Sequence, residues 1–270
     1  MSDAPRVVTA TFDLDPPWSL DSYRRVGGWT AWETVLGERR DPAALVEALK
    51  ASKLRGRGGA GFPTGVKAGF MPRDGARPNY LVCNADESEP GTCKDRDLLR
   101  FNPHAVLEGM ALMAYAIGAQ VAYCYLRGEF RHEPGERFEA ALAEAYEAGL
   151  LGRDVLGSGV DLDIHAVYGA GAYICGEETA LLESAGGQAG LPALQAAVPG
   201  RSAALAAARP RSTTSRRWRR CRPSSAAART GTRRWASRRR RGTKVFSVIG
   251  PRRAARQLRV PDGDPSSPSC

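Results

Sequence analysis

The chain has 270 residues, 43% of them hydrophobic, enough for one large core or two small ones. Its net charge of +10 suggests nucleic acid, but residues 1–183 carry 19 Lys and Arg against 27 Asp and Glu. The other 20 cations lie between Ser184 and Pro261, where there is no acidic residue. Six scattered cysteines without CxxC spacing exclude a disulfide framework or compact metal site, and the chain reads as reduced and intracellular. No secretory signal is evident, and no apolar run is long enough to span a bilayer.

Residues 1–40 are mixed and suggest no element. Asp41-Pro42 then opens a helix, with Asp41 as N-cap and Pro42 at the first helical position. Leu45, Val46, Leu49 and Leu54 fall near helical spacing. The stretch 54–72, LRGRGGAGFPTGVKAGFMP, follows. Six glycines from Gly56 to Gly69 allow close approach of backbone to a ligand. Their N–H groups can form an anion-binding concavity. Arg57 and Lys67 add cations that suit phosphate, and Phe62 and Phe70 add flat faces for a ring. Together these suggest a nucleotide or flavin. The spacing fits neither GxGxxG nor the P-loop.

Residues 79–84, NYLVCN, read as a buried strand that delivers an acidic turn, Asn84 to Gly91, at its C-terminal end. Ligands of open α/β sheets sit at that edge. Asn102-Pro103 opens a long apolar helix to Ala119, with Met110, Met113 and Tyr115 expected in the core and His104 as a capping or packing residue. Residues 121–126 form a second strand, and 127–150 an amphipathic helix. A third strand over 162–167 contains His165, read as structural. A glycine turn follows, then a helix from about Gly176 with Glu177 and Glu178 in its first turn. Acidic residues there favour the helix dipole, and they can also accept hydrogen bonds from a ligand. Cys175 reads as an inert buried thiol. Alternating helix and strand gives an α/β fold with a parallel sheet.

Three motifs stand in order: LRGRGGAGFPTG at 54–65, NADESEPGT at 84–92 and GAGAYICGEETALLES at 169–184. Together they closely resemble the NADH- and FMN-binding subunit of respiratory complex I, the F subunit of bacteria and the 51-kDa subunit of mitochondria. Diaphorase subunits of NAD-linked hydrogenases and formate dehydrogenases share the motifs. The resemblance, over residues 25–190, implies a Rossmann-like FMN-binding domain with a parallel sheet and flanking helices. It implies FMN contacts from Gly56, Arg57, Gly58, Gly59, Lys67, Asn84, Asp86, Gly176 and Glu177, and NADH contacts from Phe62, Phe70, Glu89 and Glu178. The implied chemistry is hydride transfer from NADH to flavin, then electron transfer through iron–sulfur clusters toward quinone. No side chain is expected as a general base. The implied partners are other peripheral-arm subunits, above all the 24-kDa-type E subunit with its 2Fe-2S cluster. The implied place is peripheral, on the cytoplasmic side of the membrane. Ala68 departs from the family, which usually has tryptophan there, and residues 184–190 are less charged than the family's run.

After Pro192 the resemblance stops, where the family would supply PTxVNNVETL. Residues 210–223, PRSTTSRRWRRCRP, can be encoded so that a reading frame one nucleotide earlier gives PTVNNVETLATVP. Residues 191–241 are therefore expected to be frame-shifted in large part, Arg-rich and disordered, with 251–259 shifted as well. No specific nucleic-acid role is expected of them. Residues 1–190 are read as an N-terminal segment plus the FMN/NADH-binding domain, and 242–270 as the start of a ubiquitin-like β-grasp domain. The family's 4Fe-4S cysteines are expected to be absent from this chain, since a cluster needs four thiolates.

Overall fold

The computed structural model describes residues 7–75 and 78–192, together with the backbone of two strands, 243–248 and 256–261. Two short helices, α1 (Leu20–Arg25) and α2 (Thr30–Gly37), occupy the N-terminal segment where the sequence suggests none. Neither is long enough to be stable alone. They are held by tertiary burial: Tyr23, Trp29 and Trp32 are each 1% exposed or less. Helix α3 (Pro42–Ser52) begins as expected, with the Asp41 carboxylate accepting from the Ala43 N–H at 2.9 Å. It does not extend to Leu54, because Lys53 turns left-handed and ends the helix. A further short helix, α4 (Thr64–Gly69), lies inside the glycine-rich stretch and packs on α3.

Strand β1 (Asn79–Ala85) is followed by α5 (Lys94–Phe101) and α6 (Pro103–Ile117). Strand β2 (Ala119–Leu126), α7 (Gly135–Glu147), β3 (Asp163–Tyr168) and α8 (Glu178–Ala185) complete the order. The three strands form one parallel sheet in the order β1-β2-β3, with Cys83 opposite Cys124 and Cys124 opposite Ala166. The expected α/β class therefore holds. The expected helix over 127–150 is shorter, since Pro134 precedes its first turn and Gly128–Phe130 forms only a 3₁₀ turn.

Helix α6 is the centre of the core. Every residue from Pro103 to Ile117 except Tyr115 is buried, which suits its apolar composition on all sides. Gly118, at φ 69°, ends it with a left-handed cap. Met110 and Met113 are core residues, as expected, while Tyr115 is half-buried and donates its hydroxyl to Arg40 O. His104 is fully buried and packs. Its Nδ1 accepts from the Trp29 indole, and its Nε2 meets Glu144 at 2.9 Å. One face of the sheet, with Leu81, Cys83, Ala122, Cys124 and Ile164, packs against these helices. The other face carries Val82, Tyr125 and Val167, which pack on Cys175, Leu181 and Leu182. His165 lies further along that face, exposed, with its ring 5.6 Å from that of Tyr123.

Strands β4 (Thr243–Val248) and β5 (Arg256–Pro261) pair antiparallel, with Lys244 opposite Val260. They fall where a ubiquitin-like segment is expected. The Arg-rich stretch from residue 193 to 242 lies outside the described residues. No helix among the described residues is long and apolar enough to cross a membrane.

Candidate functional site

Parallel strands place all three of their C-terminal ends on one edge, where the chain must turn back. The loops after β1, β2 and β3 meet there. The first to matter is the acidic turn. Asn84, the penultimate residue of β1, is buried, and its side chain works in two directions. Its Oδ1 accepts from the Asp86 N–H at 3.1 Å, and its Nδ2 donates to Gly176 O at 2.9 Å. Asn84 thus ties the turn after β1 to the 3₁₀ turn Tyr173–Gly176 that follows β3.

Asp86 accepts from Ser88 Oγ at 2.8 Å through Oδ1. Its Oδ2 is buried and has no partner among the described residues. Burial raises its pKa, while Ser88 and Arg127 pull it down. A buried carboxylate oxygen without a donor is costly in a free protein and suits a ligand hydroxyl or N–H. Glu87, next in the turn, does a structural job. Its carboxylate accepts from the Asp95 and Arg96 amides at 3.0 Å and faces Lys94 at 3.3 Å, so it caps α5 from the preceding turn. Burial and the Asp95 carboxylate push the Glu87 pKa up. Glu89 is exposed, and the Tyr173 hydroxyl donates to it at 2.6 Å.

The glycine-rich stretch is a narrow loop. Gly56 N–H donates to Phe62 O and Thr64 N–H to Leu54 O, with Arg55 bridged to Pro63. Gly58 and Gly59 are exposed on it, and Arg57 is half-buried. Phe62 and Phe70 stand side by side, with ring centroids 6.2 Å apart and exposures of 46% and 58%. Such exposed apolar rings offer a surface for a flat ligand. Lys67 extends from α4 to Glu178 on α8, Nζ to Oε2 at 3.0 Å. That ion pair joins the glycine loop to the helix beyond the third strand.

Glu177 stands differently from expectation. It is the N-cap of α8, and Glu178 is the first helical residue. Its Oε2 accepts from the Thr179 and Ala180 amides at 2.9 and 3.1 Å and from the Thr179 hydroxyl. The preceding 3₁₀ turn displaces the helix start by two residues. Cys175 is buried against Val82 and Tyr125, as expected. Tyr173, Ser88 and Arg127 also belong to this edge, and the sequence pattern does not single them out. Tyr173 stands within the GAGAY run, where the glycines are the more conspicuous signal.

A family model described as the Nuo51 FMN-binding domain matches residues 49–203, which span all of these loops. The chain belongs to the Nuo51 family. Curated relatives that are F subunits of NADH-quinone oxidoreductase include that of Rickettsia felis, 53% identical over 180 residues, covering 67% of this chain and 42% of the relative. That of Rhodobacter capsulatus is 48% identical over 200 residues, covering 74% of this chain and 46% of the relative. Among solved structures, an NAD+-reducing NiFe-hydrogenase in the H2-reduced state superposes with a TM-score of 0.69. It is 32% identical and is matched over 82% of this chain and 37% of that one. This Nuo51 chain thus spans under half the length of the curated relatives it matches. The family's matched region ends at residue 203, close to the point where the three-motif resemblance gives out.

Proposed function

We propose that this chain is the FMN- and NADH-binding part of an NADH:quinone oxidoreductase. The observation that carries the reading is the convergence of three loops on one sheet edge around Asp86 Oδ2, a buried acceptor with no donor among the described residues. The residues present fit a flavin. A ribityl hydroxyl can supply the missing donor at Asp86, and Asn84 and Gly176, already bonded to each other, hold the adjacent wall. FMN, when bound, supplies acceptance of a hydride from NADH and release of electrons one at a time.

The chain's own residues bind and orient. Lys67, held by Glu178, presents positive charge toward an anionic ligand. Gly58 and Gly59 bring backbone amides and Arg57 a guanidinium to it, while Gly56, whose N–H is bonded to Phe62 O, lets the backbone come close. Phe62 and Phe70 present ring faces to NADH. Glu89, with Tyr173 donating to it, and Glu178 supply acceptors on the NADH side. The carboxylate of Glu177 is engaged in capping α8, so its part in the flavin site is to fix Gly176 and Glu178.

The 4Fe-4S cluster of the family is a different matter. Among the described residues no three metal-ligating side chains cluster, and Cys83, Cys124 and Cys175 are buried in packing. The described residues therefore offer no cluster site, and on this reading electrons pass to clusters outside them. Partners on this reading are other members of the complex, in particular a 2Fe-2S-carrying 24-kDa-type subunit. Its place is peripheral, on the cytoplasmic side of the membrane. A second reading, a diaphorase of an NAD-reducing hydrogenase, draws support from the TM-score of 0.69 to such an enzyme. Identity of 53% to the Rickettsia felis relative against 32% to that hydrogenase favours the first.

The test is flavin retention. The full chain is incubated with FMN, freed of excess, and its visible spectrum recorded before and after NADH. A retained flavin that bleaches is expected. A chain that retains none overturns the reading.

A further inference from the structure

Arg127 is the first residue beyond β2, and it grips the acidic turn from the neighbouring strand. Its backbone N–H donates to Ala85 O at 3.3 Å, which continues the parallel ladder by one step. Its guanidinium reaches past Asp86 and donates through one terminal nitrogen to Glu87 O at 3.1 Å. The second terminal nitrogen pairs with Glu129 at 2.7 Å. Asp86 is therefore bracketed: the carbonyls on both sides of it are fixed by one residue of another loop.

The loop that carries Arg127 is itself fixed. A Cβ at Gly128 would lie 2.6 Å from Gly169 O and 2.8 Å from Gly171 N, so this loop lies directly on the glycine turn after β3. Glu129 reaches the same turn, 3.6 Å from where a Gly171 Cβ would be. Arg127 with its neighbours Gly128 and Glu129 thus connects the turns beyond all three strands. A planar fork can serve two acceptors in fixed directions, and lysine cannot. The Glu87 carbonyl would lose this donor without it.

We infer that Arg127 is a positioning residue for the flavin site, holding the turn that aims Asp86 Oδ2 at the ligand. The inference rests on the proposed function for the identity of that ligand, and on geometry alone for the turn. Arg127 also acts electrostatically. The groups that face Asp86 are Arg127, Glu129 and Tyr125 from β2 and its loop, and Ser88 from its own turn. Among them Arg127 is the cation, and it lowers the Asp86 pKa that burial raises.

The test uses the full chain with Arg127→Met and Arg127→Lys. Amide hydrogen exchange of residues 85–88 is measured without flavin, with the amides of α6 as internal reference. FMN affinity is then titrated by fluorescence quenching across the acidic pH range. For Arg127→Met, faster exchange in the turn with α6 unchanged is expected. FMN binding should weaken roughly tenfold. The pH at which affinity falls away should also move upward, because Asp86 has lost its cation. Arg127→Lys should keep the wild-type pH midpoint while the turn still exchanges faster. Unchanged exchange in the turn overturns the inference, and so does an equal rise in α6, which would mark a general structural role. If wild type binds no FMN, the proposed function falls, and the exchange comparison still decides the role of Arg127.

Discussion

Lys67 Nζ and Glu178 Oε2, 111 residues apart in the chain, meet at 3.0 Å and join α4 to α8. Their side chains are 33% and 26% exposed. A pair that open to water contributes little to stability, about 0.2–1 kcal/mol. Lys67→Met is therefore expected to shift the denaturant midpoint only slightly. Its effect on FMN should be larger, a loss of roughly tenfold in affinity, because a charged donor to an anion is worth about 1.5–3 kcal/mol. Denaturant titration and flavin fluorescence measure the two separately. A large drop in stability with unchanged flavin affinity would assign the lysine to the fold instead.

His104 makes acid sensitivity of the core testable. Burial lowers its pKa, with hydrogen bonding and the charge of Glu144 pulling upward and Arg24 downward. The neutral ring fits its partners: Nδ1 accepts from Trp29, so Nε2 carries the proton and donates to Glu144. A pKa below the unfolded value of about 6.5 means that the unfolded chain takes up a proton first as pH falls. The contribution of His104 is therefore complete above pH of about 6.5 and declines below it. Asp86, Glu87 and Asp97 work the other way, since their folded pKa values are raised and protonation favours the folded state. Comparing wild type with His104→Gln isolates the histidine. The variant should be less stable near neutrality by about 1–3 kcal/mol and should lose less on acidification to pH of about 5. Melting curves at both pH values decide it; parallel losses in the two proteins would contradict a buried neutral histidine.

Glycines in the ligand loop divide into two kinds, and substitution separates them. A Cβ at Gly65 would sit 2.4 Å from Lys50 N and 2.7 Å from Leu49 C, both backbone atoms of α3 that cannot rotate away. Gly65→Ala should cost about 1–3 kcal/mol by forcing α4 off α3. At Gly56 the same atom would lie 3.6 Å from Phe62 O, an ordinary contact. Gly56→Ala should leave stability within about 0.5 kcal/mol yet weaken FMN, since the methyl intrudes where backbone is to approach ligand. Equal destabilisation by both would remove the distinction.

Local pattern decides which elements are legible in the sequence. The three strands are short β-rich runs, and α6 is apolar on all sides between Asn102 and Gly118, so composition and punctuation place both. Helices α1 and α2 escape such reading, because burial of Trp29 and Trp32 holds them rather than periodicity. Helix α5 escapes it for a related reason. Its sequence, KDRDLLRF, is polar, and its cap is Glu87, which lies outside the usual capping positions. The sequence marks the glycine loop, the acidic turn and the GEET run as candidates for ligand contact. Arg127 is not, because its main partner is a backbone carbonyl brought near by strand pairing, which no spacing in one segment announces.

The remaining prediction concerns the coding sequence. Residues 210–223, re-encoded one nucleotide earlier, give PTVNNVETLATVP, the run expected after the last matched motif. The family match ends at residue 203, just short of it. All 20 Lys and Arg beyond residue 183 fall between Ser184 and Pro261, unaccompanied by any acid, as expected when GC-rich codons are read out of frame. Resequencing the DNA across codons 193–260 should reveal insertions or deletions of single nucleotides, or a gene that carries them as lesions. Expressing the frame-restored chain beside the present one then gives a physical readout. If the restored asparagines contribute to the flavin site, the restored chain should hold FMN more tightly while Lys67→Met and Arg127→Met retain their effects in both. An unbroken frame that matches the protein as it stands, together with equal flavin affinity in the two chains, would mean that the Arg-rich segment is genuine.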